Sequence, residues 1–190
     1  MMHKFSLLAM GLLMSAGVFA QTWTLDKAHS QLNFGVAHMG INTVEGGFRS
    51  ITATITSSKD DFSDAVVELT ADVTSINTGV EARDNHLKTD AFFDATKYPT
   101  LTFKSTSFKH LDGKNYEVTG DLTLHGVTKT VTLNATFNGT ATNPMNKKTS
   151  AGFHIGGTIN RTDFGIGTTF PAAMLGTDVT LDANTEFVKG

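Results

Sequence analysis

The sequence predicts an all-β fold of about eight antiparallel strands, and three observations carry that prediction. Apolar residues recur at every second position through most of the chain. Turn-forming pairs interrupt this alternation at short intervals. Thr and Gly fill much of the remaining composition, and they suit strands and tight turns better than helices.

The first twenty residues are set apart from that pattern. Lys4 supplies a positive end, Phe5 to Leu13 is a short apolar run, and Val18-Phe19-Ala20 places small residues at a cleavage position. This is the pattern of a secretory signal peptide over residues 1–20, with the mature domain over 21–190. The run falls short of the roughly 20 residues that span a bilayer, and no later stretch reaches that length, so no integral membrane segment is expected in the mature chain. The 190 residues include no Cys, so the single domain must stand on its core without disulfides. Losing Lys4 takes the formal charge from −3 to −4, which argues against nucleic acid and against charge-driven binding to anionic membranes.

The strands follow in order. Leu32, Phe34, Val36 and His38 share one face, and so do Ile51, Ala53 and Ile55. Val67, Leu69, Ala71 and Val73 form the next, followed by Leu101 and Phe103, and by Tyr116, Val118, Gly120, Leu122 and Leu124. Val131, Leu133, Ala135 and Phe137 continue the series, then Phe153, Ile155, Gly157 and Ile159, and finally Val179, Leu181, Ala183 and Phe187. Asp112-Gly113 and His125-Gly126 read as hairpin turns, and Asn138-Gly139 reads as a bend within a longer strand.

Between Asn77 and Pro99 the alternation stops, and a two-helix insertion is expected. Thr78 and Glu81 have the spacing of a capping box, and Val80, Asp84 and Leu87 follow at helical intervals. A second short helix, Asp90 to Thr96, presents Phe92 and Phe93 before Pro99. The insertion reads as a plug or a lid over one barrel end, with both Phe side chains inward.

Eight strands with one apolar face pack as a two-sheet sandwich or close into a barrel, and closure removes the exposed edges. A barrel of this size is either filled by side chains or holds one small ligand. Ala53, Gly120, Ala135, Gly157 and Ala183 on the inward beat leave axial room or let the wall curve. Fourteen Phe against one Trp and two Tyr suit a dry interior.

Ordered motifs extend this reading. They are Trp23-Thr24-Leu25-Asp26 with His29-Ser30, His38-Met39-Gly40, Val44 to Phe48, Arg83-Asp84-Asn85-His86-Leu87, and Phe92-Phe93-Asp94. Tyr98-Pro99, Phe103-Lys104-Ser105-Thr106, Gly120-Asp121-Leu122-Thr123, Gly126-Val127-Thr128-Lys129 and Arg161-Thr162-Asp163-Phe164-Gly165 complete the set. In this order and at these spacings the chain resembles the YceI-like family of bacterial exported lipid-binding proteins. The resemblance implies a lipocalin-like, eight-stranded up-and-down barrel with an elongated apolar pore. It also implies a polyisoprenoid ligand of the quinone-tail or prenyl-phosphate kind, a periplasmic location and often a homodimer.

On this reading the protein is a carrier or store for an amphiphilic lipid, not an enzyme, and that lipid is its ligand in place of any cofactor. The tail is expected against Phe34, Val36, Phe48, Phe103, Leu122, Leu124, Phe153, Ile155 and Phe164, with Phe92, Phe93 and Met174 closing the entrance. Arg83, His86 and Arg161 are candidates to orient its head, and Arg161 and Asp163 are placed on one strand face. The bland alternative for Arg83, Asp84 and His86 is a latch between insertion and barrel. The enzymatic alternative uses Asp84, His86 or Asp163 on a bound isoprenoid-like substrate. No G-x-S-x-G motif supports a hydrolase, and His29, His38 and His86 lack metal-ligand spacing, so no metal is expected. An outer-membrane barrel would need Trp and Tyr girdles that this composition cannot supply.

Overall fold

The computed structural model of the protein describes residues 20–190. Apart from Ala20, the expected signal segment lies outside them. The strands are β1 (Gln21–Leu25), β2 (Gln31–His38), β3 (Asn42–Phe48), β4 (Ile51–Ser57), β5 (Val66–Asp72) and β6 (Ile76–Asn77). After helix α1 (Glu81–Leu87) come β7 (Thr100–Asp112), β8 (Asn115–Leu124), β9 (Val127–Thr142), β10 (Thr149–Asn160) and β11 (Leu175–Lys189).

These eleven segments make eight staves of one closed antiparallel barrel. Strand β11 pairs with β1 at Leu25↔Phe187 and with β2 at Gln31↔Asn184, so β1 and β2 are two halves of one stave. In the second stave β4 pairs with β1 and β3 with β2. In the third β5 pairs with β4 and β6 with β3. Strands β7 to β11 are continuous staves, and the β1–β11 ladder closes the ring. Each strand expected from the alternation falls on a different stave. The pattern missed β1, β3 and β6, the shorter or glycine-interrupted halves.

The breaks have local causes. Asp26–Ser30 bulges outward while β11 advances only from Phe187 to Asn184. Asp26 braces this bulge: its carboxylate accepts from the Ala28 N–H at 2.9 Å and lies 2.9 Å from His29 Nδ1. The corner between β5 and β6 is a 3₁₀ turn, Val73–Ser75, capped by the Asp72 carboxylate on the Thr74 N–H.

The two faces of the wall differ sharply. Val118, Leu122, Leu133 and Ala135 point inward, and the outward positions beside them carry Thr, Asp, Glu and Asn. Thr119 and Thr132 pair at 3.2 Å, Thr123 and Thr128 at 2.8 Å, and Thr130 donates to Asp121 at 2.8 Å. A membrane barrel needs the reverse polarity, an apolar outer band.

One end of the barrel is plugged by aromatics. Phe62, in the β4–β5 connection, is 1 % exposed and lies 5.2 Å, centroid to centroid, from Trp23, Phe137 and Phe153. Its φ of 57° swings the side chain into the end of the barrel. Tyr116 ties the same loop down by donating to the Asp61 carbonyl at 2.5 Å. Asp64 accepts from Ser57 Oγ at 2.5 Å and from the Ser58 hydroxyl, and these bonds hold its carboxyl far below the usual carboxylate range. A depressed pKa contributes stability above the unfolded-state value and loses it as pH falls. Asp64→Asn is therefore expected to lower the urea midpoint at neutral pH, with the gap to wild type closing below about pH 4. A gap independent of pH would assign the effect to packing alone.

The insertion closes the other end, and it departs from expectation in two ways. The N-cap of α1 is Val80, without a side-chain cap, so Thr78 and Glu81 form no capping box. The second expected helix, Asp90 to Thr96, is a chain of turns, leaving one helix in place of two. Asp94 has φ 44°, and the N–H groups of Asp94 and Ala95 donate back to Thr89 and Lys88, so no helical ladder propagates. Phe92 is nevertheless buried and Phe93 half-buried. Gly126 serves this end by close approach: a Cβ there would sit 2.3 Å from the Tyr98 ring, and its φ is 74°.

Candidate functional site

Between the aromatic plug and the insertion lies a cavity of about 200 Å³ walled by 32 residues. So many walls around so little space make it a narrow channel along the barrel. Its lining is almost wholly apolar.

Eleven of the residues expected at a ligand line this lumen: Phe34, Val36, Phe48, Phe92, Phe93, Phe103, Leu122, Leu124, Phe153, Ile155 and Arg161. Phe48 stands between Phe34 and Phe93, 5.9 Å from each, and so joins the barrel wall to the insertion. Four expected residues lie elsewhere. Phe164 is 1 % exposed but packs in the 3₁₀ turn Arg161–Phe164, off the lumen. Met174 is 51 % exposed on the loop before β11, so it does not close the channel. Arg83 and His86 also lie off the lumen.

The small inward residues divide into two roles. Ala53, Ala135 and Ala183 line the lumen and leave room in it. Gly120 and Gly157 admit neighbours instead, since a Cβ at either would lie 2.5 Å from the Phe103 ring or the Leu133 side chain. Alternation alone could not separate these roles. Ile166 and Leu175, which also line the channel, follow the irregular turn after β10 and carry no periodic signal.

Arg83 and Asp84 bond to Thr78 within the insertion itself, and their hydrogen bonds do not run from the insertion to the barrel wall. The Asp84 carboxylate is buried and accepts from the Thr78 N–H at 2.8 Å and Thr78 Oγ1 at 2.6 Å. Arg83 donates to Thr78 Oγ1 at 2.7 Å and to the Thr78 carbonyl at 2.8 Å. His86 is exposed and sets its ring against Phe92 and Phe170. Neither Asp84 nor His86 reaches the lumen that an enzymatic reading would need.

Arg161 is the charged group in the wall, 4 % exposed. It lies in a 3₁₀ turn with exposed Asp163, so the two do not share a strand face. Its Nε donates to Gly176, Nη1 to Ile166 and Gly167, and Nη2 to Phe170 and Leu175, at 2.6–3.0 Å, all onto backbone carbonyls. A guanidinium has five N–H donors, and all five are used. Burial lowers its pKa from the ordinary value, and among the described residues it has no carboxylate partner. The side chain thus holds the loop over residues 165–174 and has no donor left for a ligand.

Among the described residues, Asp26, His29 and Glu186 bring potential metal-ligand atoms within 4.8 Å of one another. They lie off the lumen, and the Asp26–His29 contact already serves to brace the bulge.

Comparison with known proteins places this architecture. The profile described as "YceI-like domain" matches residues 23–187. A UPF0312 protein of Staphylococcus aureus strain N315 is 37 % identical over 171 residues, covering 87 % of this chain and 96 % of that protein. The Campylobacter jejuni YCEI protein superposes with a TM-score of 0.73 at 33 % identity, over 81 % of this chain and 90 % of that one. Burkholderia cenocepacia BcnA gives 0.77 at 23 % identity, covering 85 % and 98 %. A polyisoprenoid binding domain from Saccharophagus degradans gives 0.68 at 18 %, covering 88 % and 98 %. By profile, by a relative of substantial identity and by its closed eight-stave barrel, the chain belongs to the YceI-like family.

Proposed function

We propose that the protein binds one amphiphilic lipid with a long apolar tail, of the polyisoprenoid kind, and carries or stores it in the periplasm after export on residues 1–20. The single observation behind this reading is the lumen, a narrow channel lined almost wholly by apolar side chains. Its lining comes from all eight staves and from Leu87, Phe92 and Phe93 of the insertion, so a ligand within it lies along the barrel axis, which suits an extended tail. Each methylene removed from water contributes about 0.8 kcal/mol, so a long tail needs few directional contacts. The description of the Saccharophagus degradans neighbour as a polyisoprenoid binding domain agrees with this choice of lipid.

The test is extraction of natively purified protein into solvent, followed by mass spectrometry, where a stoichiometric lipid is expected. Ala183→Phe should then fill the lumen, reducing lipid occupancy about tenfold at an overpacking cost of about 1–3 kcal/mol. No lipid in the wild type, or full occupancy in a folded Ala183→Phe variant, would refute the reading.

A further inference from the structure

The Asp26–Ser30 bulge interrupts the first stave on the outside of the barrel, and three side chains with metal-binding atoms meet there: Asp26, His29 and Glu186. One ligand atom from each lies within 4.8 Å of the other two. The backbone holds the set in place. Glu186 stands on β11 opposite the bulge, where this stave offers it no regular ladder partner. Its carbonyl accepts instead from the Asp26 N–H at 2.8 Å, and its N–H donates to Ser30 Oγ at 3.0 Å, one bond at each end of the bulge. The His29 N–H donates to the Asp26 carbonyl at 3.3 Å, closing a turn that aims the imidazole back at the Asp26 carboxylate.

The bonding capacity of the set is only partly used. Asp26 Oδ1 accepts from the Ala28 N–H at 2.9 Å, which fixes the carboxylate, while Oδ2 faces His29 Nδ1 at 2.9 Å. Among the described residues the Glu186 carboxylate has no hydrogen bond or ion pair, and no Lys or Arg pairs with Asp26. Two carboxylates thus converge on one imidazole without a lysine or arginine to balance them. Like charges held this close repel, and a bound cation relieves the repulsion. Ligand atoms at about 2.0–2.2 Å from one ion stand roughly 3 Å apart, so the Asp26–His29 spacing already fits, and a turn of the flexible Glu186 side chain closes the rest.

We infer that Asp26 Oδ2, His29 Nδ1 and the Glu186 carboxylate bind one divalent first-row transition ion, such as Zn²⁺, on the outer wall, with water in its remaining positions. One imidazole beside two carboxylates suits these ions. Ca²⁺ takes about six to eight oxygens, and a soft ion such as Cu⁺ calls for sulfur ligands, which this set lacks. The ion ties the bulge to β11 beside the ladder that seals the ring. It therefore stabilises the folded chain by mass action, since the unfolded chain does not bring the three ligands together. Spacing along the chain hides the set, because Glu186 reaches it across the sheet.

The test uses tag-free, natively purified protein stripped with EDTA. Calorimetric titration with ZnCl₂ should show one site with Kd below about 100 μM. Glu186→Gln, which keeps both backbone bonds, should weaken binding at least about tenfold, while His154→Ala, in the other His–Asp contact, should leave it unchanged. Zn²⁺ should also raise the melting temperature of the wild type, with most of the rise lost in Glu186→Gln. Co²⁺ then locates the ion in the wild type by paramagnetic broadening of backbone NMR signals, expected at residues 26–30 and 185–187. Absence of binding below that limit, unchanged affinity in Glu186→Gln, or broadening centred on another histidine overturns the assignment.

Discussion

Arg161→Met is expected to cost about 3–5 kcal/mol of unfolding free energy, because losing several charge-assisted hydrogen bonds of about 1.5–3 kcal/mol each is only partly offset by no longer burying a charge. The variant fills much of the arginine's volume but takes its donors from five carbonyls, those of Ile166, Gly167, Phe170, Leu175 and Gly176, of which Gly167 still accepts from the Phe170 N–H. Each buried carbonyl deprived of its partner costs about 1–3 kcal/mol unless water reaches it, so the loop should loosen to admit water. Urea denaturation would show the lowered midpoint, and hydrogen exchange would localise the loss to residues 165–176. Arg161→Lys should recover less than half of it, because three ammonium donors on a flexible stem cannot span five fixed acceptors. A Met variant within about 1 kcal/mol of wild type would show that the loop is held by other contacts.

Phe62→Ala comes next in size, at about 3–5 kcal/mol, the usual cost of emptying a buried phenylalanine site. The ring is 1 % exposed and meets Trp23, Phe137 and Phe153 at one barrel end. Alanine inherits the φ of 57°, so backbone relief will not offset the lost packing. Thermal unfolding followed by circular dichroism measures the loss. An unchanged melting temperature would mean that neighbouring side chains collapse into the space and the plug is redundant.

How far the sequence could be read follows from where period two is strong. The five continuous staves, β7 to β11, are ten to sixteen residues long, and the pattern found all of them, β7 through Leu101 and Phe103 alone. Strand β3 escaped because Gly46 and Gly47 blank out its alternation, and β6 because it is two residues long. Of the eleven expected site residues that line the lumen, eight stand on strands, where the inward beat also marks the channel, while Phe92, Phe93 and Arg161 reach it from turns. Phe164 and Met174 were misplaced where the chain leaves the sheet, since alternation carries no information inside a 3₁₀ turn or an irregular loop. The Arg161 anchor was invisible for a different reason: its partners are carbonyls, and any residue supplies those. Closure itself came from the family resemblance, because a sandwich and a barrel share one alternation.

The ladder that seals the ring joins Trp23 to Lys189, close to opposite limits of the described chain. A polypeptide emerging from its N-terminus first cannot complete this cylinder until almost all of it is available. Contacts so distant in sequence carry a loop-closure cost that must be met before they form, so closure of the ring is expected late in folding. Hairpins between neighbouring strands such as β7 and β8 can form first, and the seam between the two ends zips last.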